Sequence, residues 1–448
     1  MKENDFSKGS ILSNMIRLAV PMTMAQLINV LYNIVDRIYI GRIPDHATLS
    51  LTGLGVCFPI ITIVIAFANL VGMGGAPLFS IQRGKGNEEE AEKILGNSFF
   101  LLLFLGIVLT ILGYLVKEPM LRLLGASDQT MPYADAYLSI YLLGSVFVMV
   151  SLGLNSFINA QGFAGIGMAT VAIGAVLNLI LDPIFIFYLE MGVQGAALAT
   201  ILSQMVAALW TVLFLRGKRA LIHLKIEAMK LESKRVKEIL SLGLAGFTMS
   251  ITNSLVQMVN NASLQHWGGD IYVAVMTVIN SVREVVHMPV SGISNSSQPI
   301  MSFNYGAKEY GRVKETIRLN TVLLFGYTLA AWAFVAFFPE FCIKIFNSDP
   351  VLIDAAVPSM HLYFFGFFMM AFQFAGQTVF QSLGRAKQAI FFSIFRKVII
   401  VIPLILILPG IGGLGVKGVF LAEPISNFVG GLACFTTMLF QVYGKLKD

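Results

Sequence analysis

Twelve apolar stretches, each long enough to cross a lipid bilayer, constrain this chain more than any other feature. They fall at roughly 13–38, 50–80, 94–116, 133–158, 165–188, 194–215, 238–266, 272–302, 317–339, 356–380, 388–408 and 418–442. About 20 apolar residues in a helix span the hydrocarbon core. The runs are continuous, whereas membrane-barrel strands alternate apolar and polar residues, so the spacing predicts an all-α membrane protein. Several runs exceed the minimum, which predicts tilted helices or ends that project beyond the bilayer. Composition agrees: only 12% of residues are charged, against about 25% in soluble domains. So few charges cannot cover a water-facing surface, and the surface must meet lipid.

The stretches divide into two related halves. Ala-Pro-Leu-Phe-Ser-Ile-Gln-Arg-Gly at 76–84 resembles Gln-Pro-Ile-Met-Ser-Phe-Asn-Tyr-Gly at 298–306, so that Pro77 maps onto Pro299 with a shift of 222. Gly144 maps onto Gly366, and Asn159 and Gly162 onto Gln381 and Gly384, with the same shift. In the first stretch of each half the shift is 224, which sets Asp36 on Asn260. Chance matches do not hold one offset over most of a half. Six is even, so both halves enter the membrane from one side. The expected fold is twelve transmembrane helices in two pseudo-symmetric six-helix lobes, a 6+6 parallel repeat. The first lobe is 1–215, with helices 1–6. The basic stretch 216–237 is a cytoplasmic linker, and 238–448 is the second lobe, with helices 7–12.

Charge placement gives orientation. Of 31 Lys and Arg residues, 22 fall in the termini and in the loops near 81–93, 216–237, 306–318 and 382–388. Five lie on the opposite side (Arg42, Lys117, Arg122, Lys344, Lys417), and four lie within helices (Arg37, Arg283, Arg396, Lys397). The positive-inside rule places both termini in the cytoplasm and reads the basic loops as topogenic, with no nucleic-acid partner. Cys57, Cys342 and Cys434 match no metal or redox spacing and read as small hydrophobes. Gly413-Leu-Gly415-Val-Lys-Gly418 matches G-x-G-x-x-G but lacks the strand-to-helix context of a nucleotide site, so it is a loop. With no Walker A sequence, no H-E-x-x-H and no nucleophile–base set, the chain reads as neither an ATP-driven machine nor an enzyme, and it calls for no cofactor.

Polar groups inside the apolar runs are the functional candidates. A carboxylate at a helix centre costs about 2.5–3.5 kcal/mol on insertion scales. Asp36 stands late in the first stretch, after Asn33 and beside Arg37, its possible partner; Pro21 lies about four turns earlier and can hinge that helix. Asn178 and Asp182 share one face of the fifth, as residues i and i+4. Pro183 then frees a backbone carbonyl, and Thr200 in the sixth adds a hydroxyl. These hard oxygen ligands suit Na+, or a proton shared by two acids. In the second half Gln257, Asn260, Arg283, Glu284 and His287 are secondary candidates. Arg283 and Glu284, with Arg396, Lys397 and Glu423, either build a buried charge network or take part in coupling. The Phe/Met run 364–374 reads mostly as lipid-facing bulk, with a pocket for apolar cations as the alternative.

Over essentially its whole length the chain resembles the MATE (multidrug and toxic compound extrusion) family, most of all its MepA-type bacterial branch. The resemblance rests on the 6+6 duplication, on Pro21…Asn33-Ile-Val-Asp36-Arg-Ile-Tyr-Ile-Gly41, on Pro77…Gly84 with its repeat Pro299…Gly306, and on Asn178-x-x-x-Asp182-Pro183. Asp36, Asn178, Asp182 and Thr200 match one by one the first-lobe cation site of several members. The carboxylates that a NorM-like branch places in helices 7 and 10 are absent, and Glu284 is the nearest acid. The resemblance implies a monomeric antiporter in the bacterial inner membrane. It would be driven by Na+ or H+, export diverse and mostly cationic drugs, and work by alternating access among membrane lipids. A lipid-linked saccharide flippase of the same superfamily is the alternative, distinguished by a strongly basic central cavity.

Overall fold

The computed structural model describes residues 3–44, 47–347 and 349–446. Lys2 and Lys447 of the basic count, and Ser348 of the repeat, lie outside the described residues. Among the described residues no strand occurs, and twelve helices are long and apolar enough to cross a membrane. They are α1 Ile11–Ile40, α2 Ala47–Gly84, α3 Glu88–Leu123, α4 Met131–Ala160, α5 Ala164–Tyr188, α6 Gly192–Arg216, α7 Ser233–Gly268, α8 Asp270–Gly306, α9 Tyr310–Phe337, α10 Pro350–Ser382, α11 Ala386–Gly410 and α12 Val416–Lys445. Local chemistry sets several starts. The Asn87 side chain accepts from the Glu90 amide at 3.2 Å, and Glu88, Glu89 and Glu90 fill the first turn of α3, where the helix dipole favours acids. Asp349 caps the Val351 amide at 3.0 Å, and Pro350 occupies the first turn of α10, where its missing N–H is no loss.

The duplication is written into the helix ends. α2 ends at Gly84 and α8 at Gly306; α3 begins at Glu88 and α9 at Tyr310. α4 ends at Ala160 and α10 at Ser382; α5 begins at Ala164 and α11 at Ala386, every pair 222 apart. The corners between them are three residues long, and each turns through a left-handed residue. Gly86 (φ 72°) answers Lys308 (φ 63°), and Gly162 (φ 91°) answers Gly384 (φ 71°). A lysine in that region is uncommon, so the corner geometry has outlasted the glycine that favours it.

The chain forms two compact units. The first comprises residues up to Asp5 and Val20–Gly243; the second comprises Phe6–Ala19 and residues from Leu244 onward. This differs from lobes 1–215 and 238–448 at two places. The opening turns of α1 belong with the second unit, and the change falls at Ala19/Val20, next to Pro21. There Arg312 donates to the carbonyls of Phe6 (2.9 Å) and Gly9 (3.1 Å), and Asn304 donates to that of Phe6 (3.2 Å). The stretch 216–237 is no free tether either, but is strapped onto the first unit. Asn97 donates to the carbonyls of Ala228 (3.1 Å) and Lys230 (3.0 Å) and accepts from the Glu232 amide. The Gln161 carboxamide accepts from the amides of Leu221 (2.8 Å) and Ile222 (3.1 Å). Lys225 pairs with Glu92 at 2.7 Å, and Arg235 pairs with Glu90 through two nitrogens.

The first unit is cored by α2, α3, α4 and α6, and small residues let their backbones close up. A Cβ on Gly72 of α2 would stand 2.9 Å from the Gly153 carbonyl of α4. α1 instead exposes Ile16, Val20, Met24, Leu27, Leu31, Ile34 and Ile38, an apolar stripe at helical spacing as expected of a lipid-facing surface. In the second unit α10 is broken. Gly366 turns left-handed (φ 73°), a short 3-10 turn follows at Phe367–Met369, and a Cβ on Gly366 would collide with the Phe428 ring. The break corrects the lipid-facing expectation for the aromatic run. Phe364, Phe367, Met369 and Met370 are buried, Phe368 packs against Phe325 and Trp332, and Phe372 meets Phe435 at 4.9 Å. Only Phe365 of the run is largely exposed. A change of helix direction at a glycine turns an all-round aromatic run inward, which hydrophobicity alone does not reveal.

Candidate functional site

Asp36 of α1 and Asp182 of α5 meet inside the first unit. Asp182 is fully buried and Asp36 is 8% exposed. Their carboxyl groups lie within hydrogen-bonding reach of each other. The Asn178 amide donates to Asp182 Oδ1 at 3.1 Å and to Thr200 Oγ at 3.4 Å. The Thr200 hydroxyl is itself spent on the Ala196 carbonyl at 3.0 Å. The four first-lobe candidates are thus brought together by α1, α5 and α6. Two buried oxygens in this cluster, Asp36 Oδ1 and Asp182 Oδ2, have no hydrogen-bond donor from the protein. Arg37 turns its guanidinium over the Phe58 ring, 4.6 Å from the centroid.

The backbone explains the placement of Asp182. Pro183 has no N–H, so the Leu179 carbonyl loses its helical donor, and α5 widens into a π turn over Ile184–Tyr188. Such turns inside α-helices concentrate at functional sites. α6 fits closely against it: a Cβ on Gly195 would stand 2.7 Å from the Phe185 carbonyl.

Three tyrosines complete the surroundings, and the sequence reading did not single them out. Tyr32 lies one turn before Asp36, in electrostatic range of both acids, and Tyr137 of α4 is in range of Asp36. Tyr137 stacks on Tyr141, with centroids 6.2 Å apart. The available signal was spacing: Tyr137 and Tyr141 stand at i and i+4 on an otherwise apolar face, as Tyr32 and Asp36 do.

Two carboxyls that touch cannot both stay ionised without a cation between them or a proton shared between them. No cluster of three or more His, Cys, Asp or Glu groups suited to a metal occurs among the described residues. The set is two acids with neutral oxygens, chemically suited to a monovalent cation or a proton.

The second unit gathers a different group. Glu423 of α12 forms salt bridges with Arg396 and with Lys397 of α11, the latter at 3.0 Å, and all three are buried. Arg283 of α8 lies in electrostatic range of Tyr363 and Glu423. His287 joins the same neighbourhood, its Nδ1 3.1 Å from the Ser291 hydroxyl and its ring edge-on to Phe374. The buried charge network, one of the two readings of these residues, has its salt bridges here. Of the secondary candidates it takes in Arg283 and His287, while Glu284 and Gln257 are exposed. Asn260, 7% exposed, stands on α7.

Twelve helices long and apolar enough to cross a membrane, in duplicated halves with buried, convergent acids, have the architecture of a polytopic transporter. The MatE family model matches residues 21–184 and 246–407, most of both halves, and the chain belongs to that family. A curated relative, the multidrug export protein MepA of Staphylococcus saprophyticus, is 25% identical over 91% of this chain and 90% of its own. Among solved structures, a MATE protein in a bent conformation superposes with a TM-score of 0.93 at 24% identity, covering 99% of this chain and 98% of that one. An outward-facing multidrug-resistance MATE transporter superposes with 0.91 at 23% identity, over 99% and 98%.

Proposed function

We propose that the chain is a cation-coupled antiporter that exports structurally diverse, mostly cationic organic compounds from a bacterial cell by alternating access. The observation that carries this reading is the Asp36–Asp182 pair: two buried acids in contact, each with an oxygen that no protein donor satisfies. Asn178 and Thr200 supply neutral oxygens beside them. An ion or proton entering the pair relieves the repulsion between its carboxylates and favours one arrangement of the first lobe, and drug binding favours the other. Pro21 is the hinge of α1, which carries Asp36. The name of the MepA relative supports drug export. Solved MATE structures in bent, straight and outward-facing conformations support a fold that changes conformation as it works.

The protein acts in the inner membrane as a monomer, with both termini and the 216–237 strap in the cytoplasm. Lys225, half-exposed on that strap, tests the orientation. Lys225→Cys reacts with an impermeant thiol reagent only from the cytoplasmic face; reaction in intact cells overturns the topology.

The decisive experiment is efflux of a fluorescent organic cation from reconstituted vesicles, under a Na+ gradient and a proton gradient imposed separately. One gradient drives uphill efflux. Efflux that follows neither, or that requires ATP, overturns the proposal.

A further inference from the structure

The buried charge of the second unit does not balance. Arg396 is 6% exposed, Lys397 7% and Glu423 8%, and the single carboxylate of Glu423 takes salt bridges from both bases. Arg283 adds a third cation, half-buried, in electrostatic range of Tyr363 and Glu423. Three cations therefore face one buried acid, and the exposed Glu284 is the remaining carboxylate near Arg283. His287 does not correct the excess, because an imidazole is neutral or cationic and never an anion. Within this excess the Arg396 Nε is buried and has no acceptor. Unbalanced charge at membrane depth is expensive and ordinarily finds a counter-charge.

The backbone is shaped to make the cluster. Adjacent residues on a regular helix point about 100° apart, yet Arg396 and Lys397 reach the same carboxylate. They do so from a π turn over Phe395–Val401, the kind of widened turn that gathers at functional sites.

We propose that Arg283, Arg396 and Lys397 form a binding site for a small anion, either a chloride ion or the carboxylate or phosphate group of a transported molecule. Glu423 holds the two α11 bases in place without neutralising the set, and half-buried Arg283 is the point of entry. Guanidinium and ammonium donors bind such anions through charge-assisted hydrogen bonds. The site is independent of cation coupling in the first unit, so neither proposal falls with the other.

The test is saturable binding of radiolabelled chloride to the purified full-length protein in a low-salt zwitterionic buffer free of carboxylate and phosphate, with acetate and inorganic phosphate as competitors. Wild type binds and the competitors displace, whereas Arg283→Gln and Lys397→Gln bind about tenfold more weakly or worse. Arg283→Gln is the safer variant, since its side chain is only half-buried. Absence of saturable binding in wild type, or unchanged binding in a folded Arg283→Gln, overturns the site. Vesicle efflux then separates the two sources. If the site holds an acidic group of the substrate, efflux of an anionic dye falls in Arg283→Gln and is inhibited by chloride. If it holds chloride itself, binding is lost in Arg283→Gln with no anionic efflux to lose.

Discussion

α5 and α11 are equivalent helices of the two halves, and they use one backbone device for opposite chemistry. Each widens into a π turn, at Ile184–Tyr188 and Phe395–Val401. Beside the first stands Asp182, in contact with a second acid and with no lysine or arginine salt-bridged to it; within the second stand Arg396 and Lys397, gathered on one acid. The first unit buries a surplus of negative groups and the second a surplus of positive ones. Duplication kept the helix starts in register, Ala164 answering Ala386, but the π turns do not coincide under that offset, since 184–188 falls on 406–410. Each half placed its widened turn beside its own charged groups, which separates what the fold supplies from what the site does.

Neutral isosteres test that contrast most severely. Asp36→Asn and Asp182→Asn should abolish uphill, gradient-driven efflux in vesicles. Expression and thermal midpoint should be unchanged or raised, because each change relieves two adjoining carboxyls. Full coupling in Asp182→Asn would move the coupling site out of the first unit and end the comparison. In the second unit the corresponding change does the reverse. Glu423→Gln strands Arg396 and Lys397 without their acid and should cost about 3–5 kcal/mol, read as a lower denaturation midpoint and poor yield. A midpoint equal to wild type would mean that the two bases are balanced by something other than Glu423.

Smaller effects sharpen the picture. Asn178→Ala removes the donor that holds Asp182 Oδ1 and should shift the cation concentration for half-maximal efflux several-fold without eliminating transport, a loss of about 1 kcal/mol. Pro21→Ala restores a backbone donor to α1, so the protein should express normally and transport more slowly; unchanged efflux removes the hinge. The smallest effect lies on the strap. Hydrogen bonding to Glu92 raises the Lys225 ammonium above its ordinary value of 10.5. A raised base stabilises the fold fully below that value and loses its contribution as pH climbs through the shifted one. Thermal midpoints of wild type and Lys225→Met should therefore differ slightly at neutral pH and converge in strong alkali.

Much of this was legible in the sequence. Twelve apolar runs and a constant offset gave the helices and their pairing, because both follow from chain length and order. Asp36, Asn178, Asp182 and Thr200 stood out because acids and amides are costly in hydrocarbon. The inward turn of Phe364–Phe374 was not legible, because an apolar run reads alike against lipid and against protein, and the break at Gly366 is a tertiary event. Tyr32, Tyr137 and Tyr141 escaped for a related reason: a tyrosine is inexpensive in a membrane helix until an acid arrives beside it. The strap hid behind its own composition, since a basic segment looks like a solvated loop until Asn97 and Gln161 are seen gripping its backbone.

The three-residue corners at 85–87, 161–163, 307–309 and 383–385 carry a consequence for how this gene can change. One residue inserted into such a corner lengthens a joint that has no slack. If the added residue is absorbed into the next helix, that helix rotates by about 100° and presents its buried face to lipid. Deep insertion scanning should therefore find these four corners nearly as intolerant as the helix cores, the exposed corner 85–87 as well as the buried corner 161–163, although short loops usually accept insertions. The preserved offset of 222 is the mark such intolerance leaves: since the halves parted, substitutions have accumulated at these joints while their length has not changed.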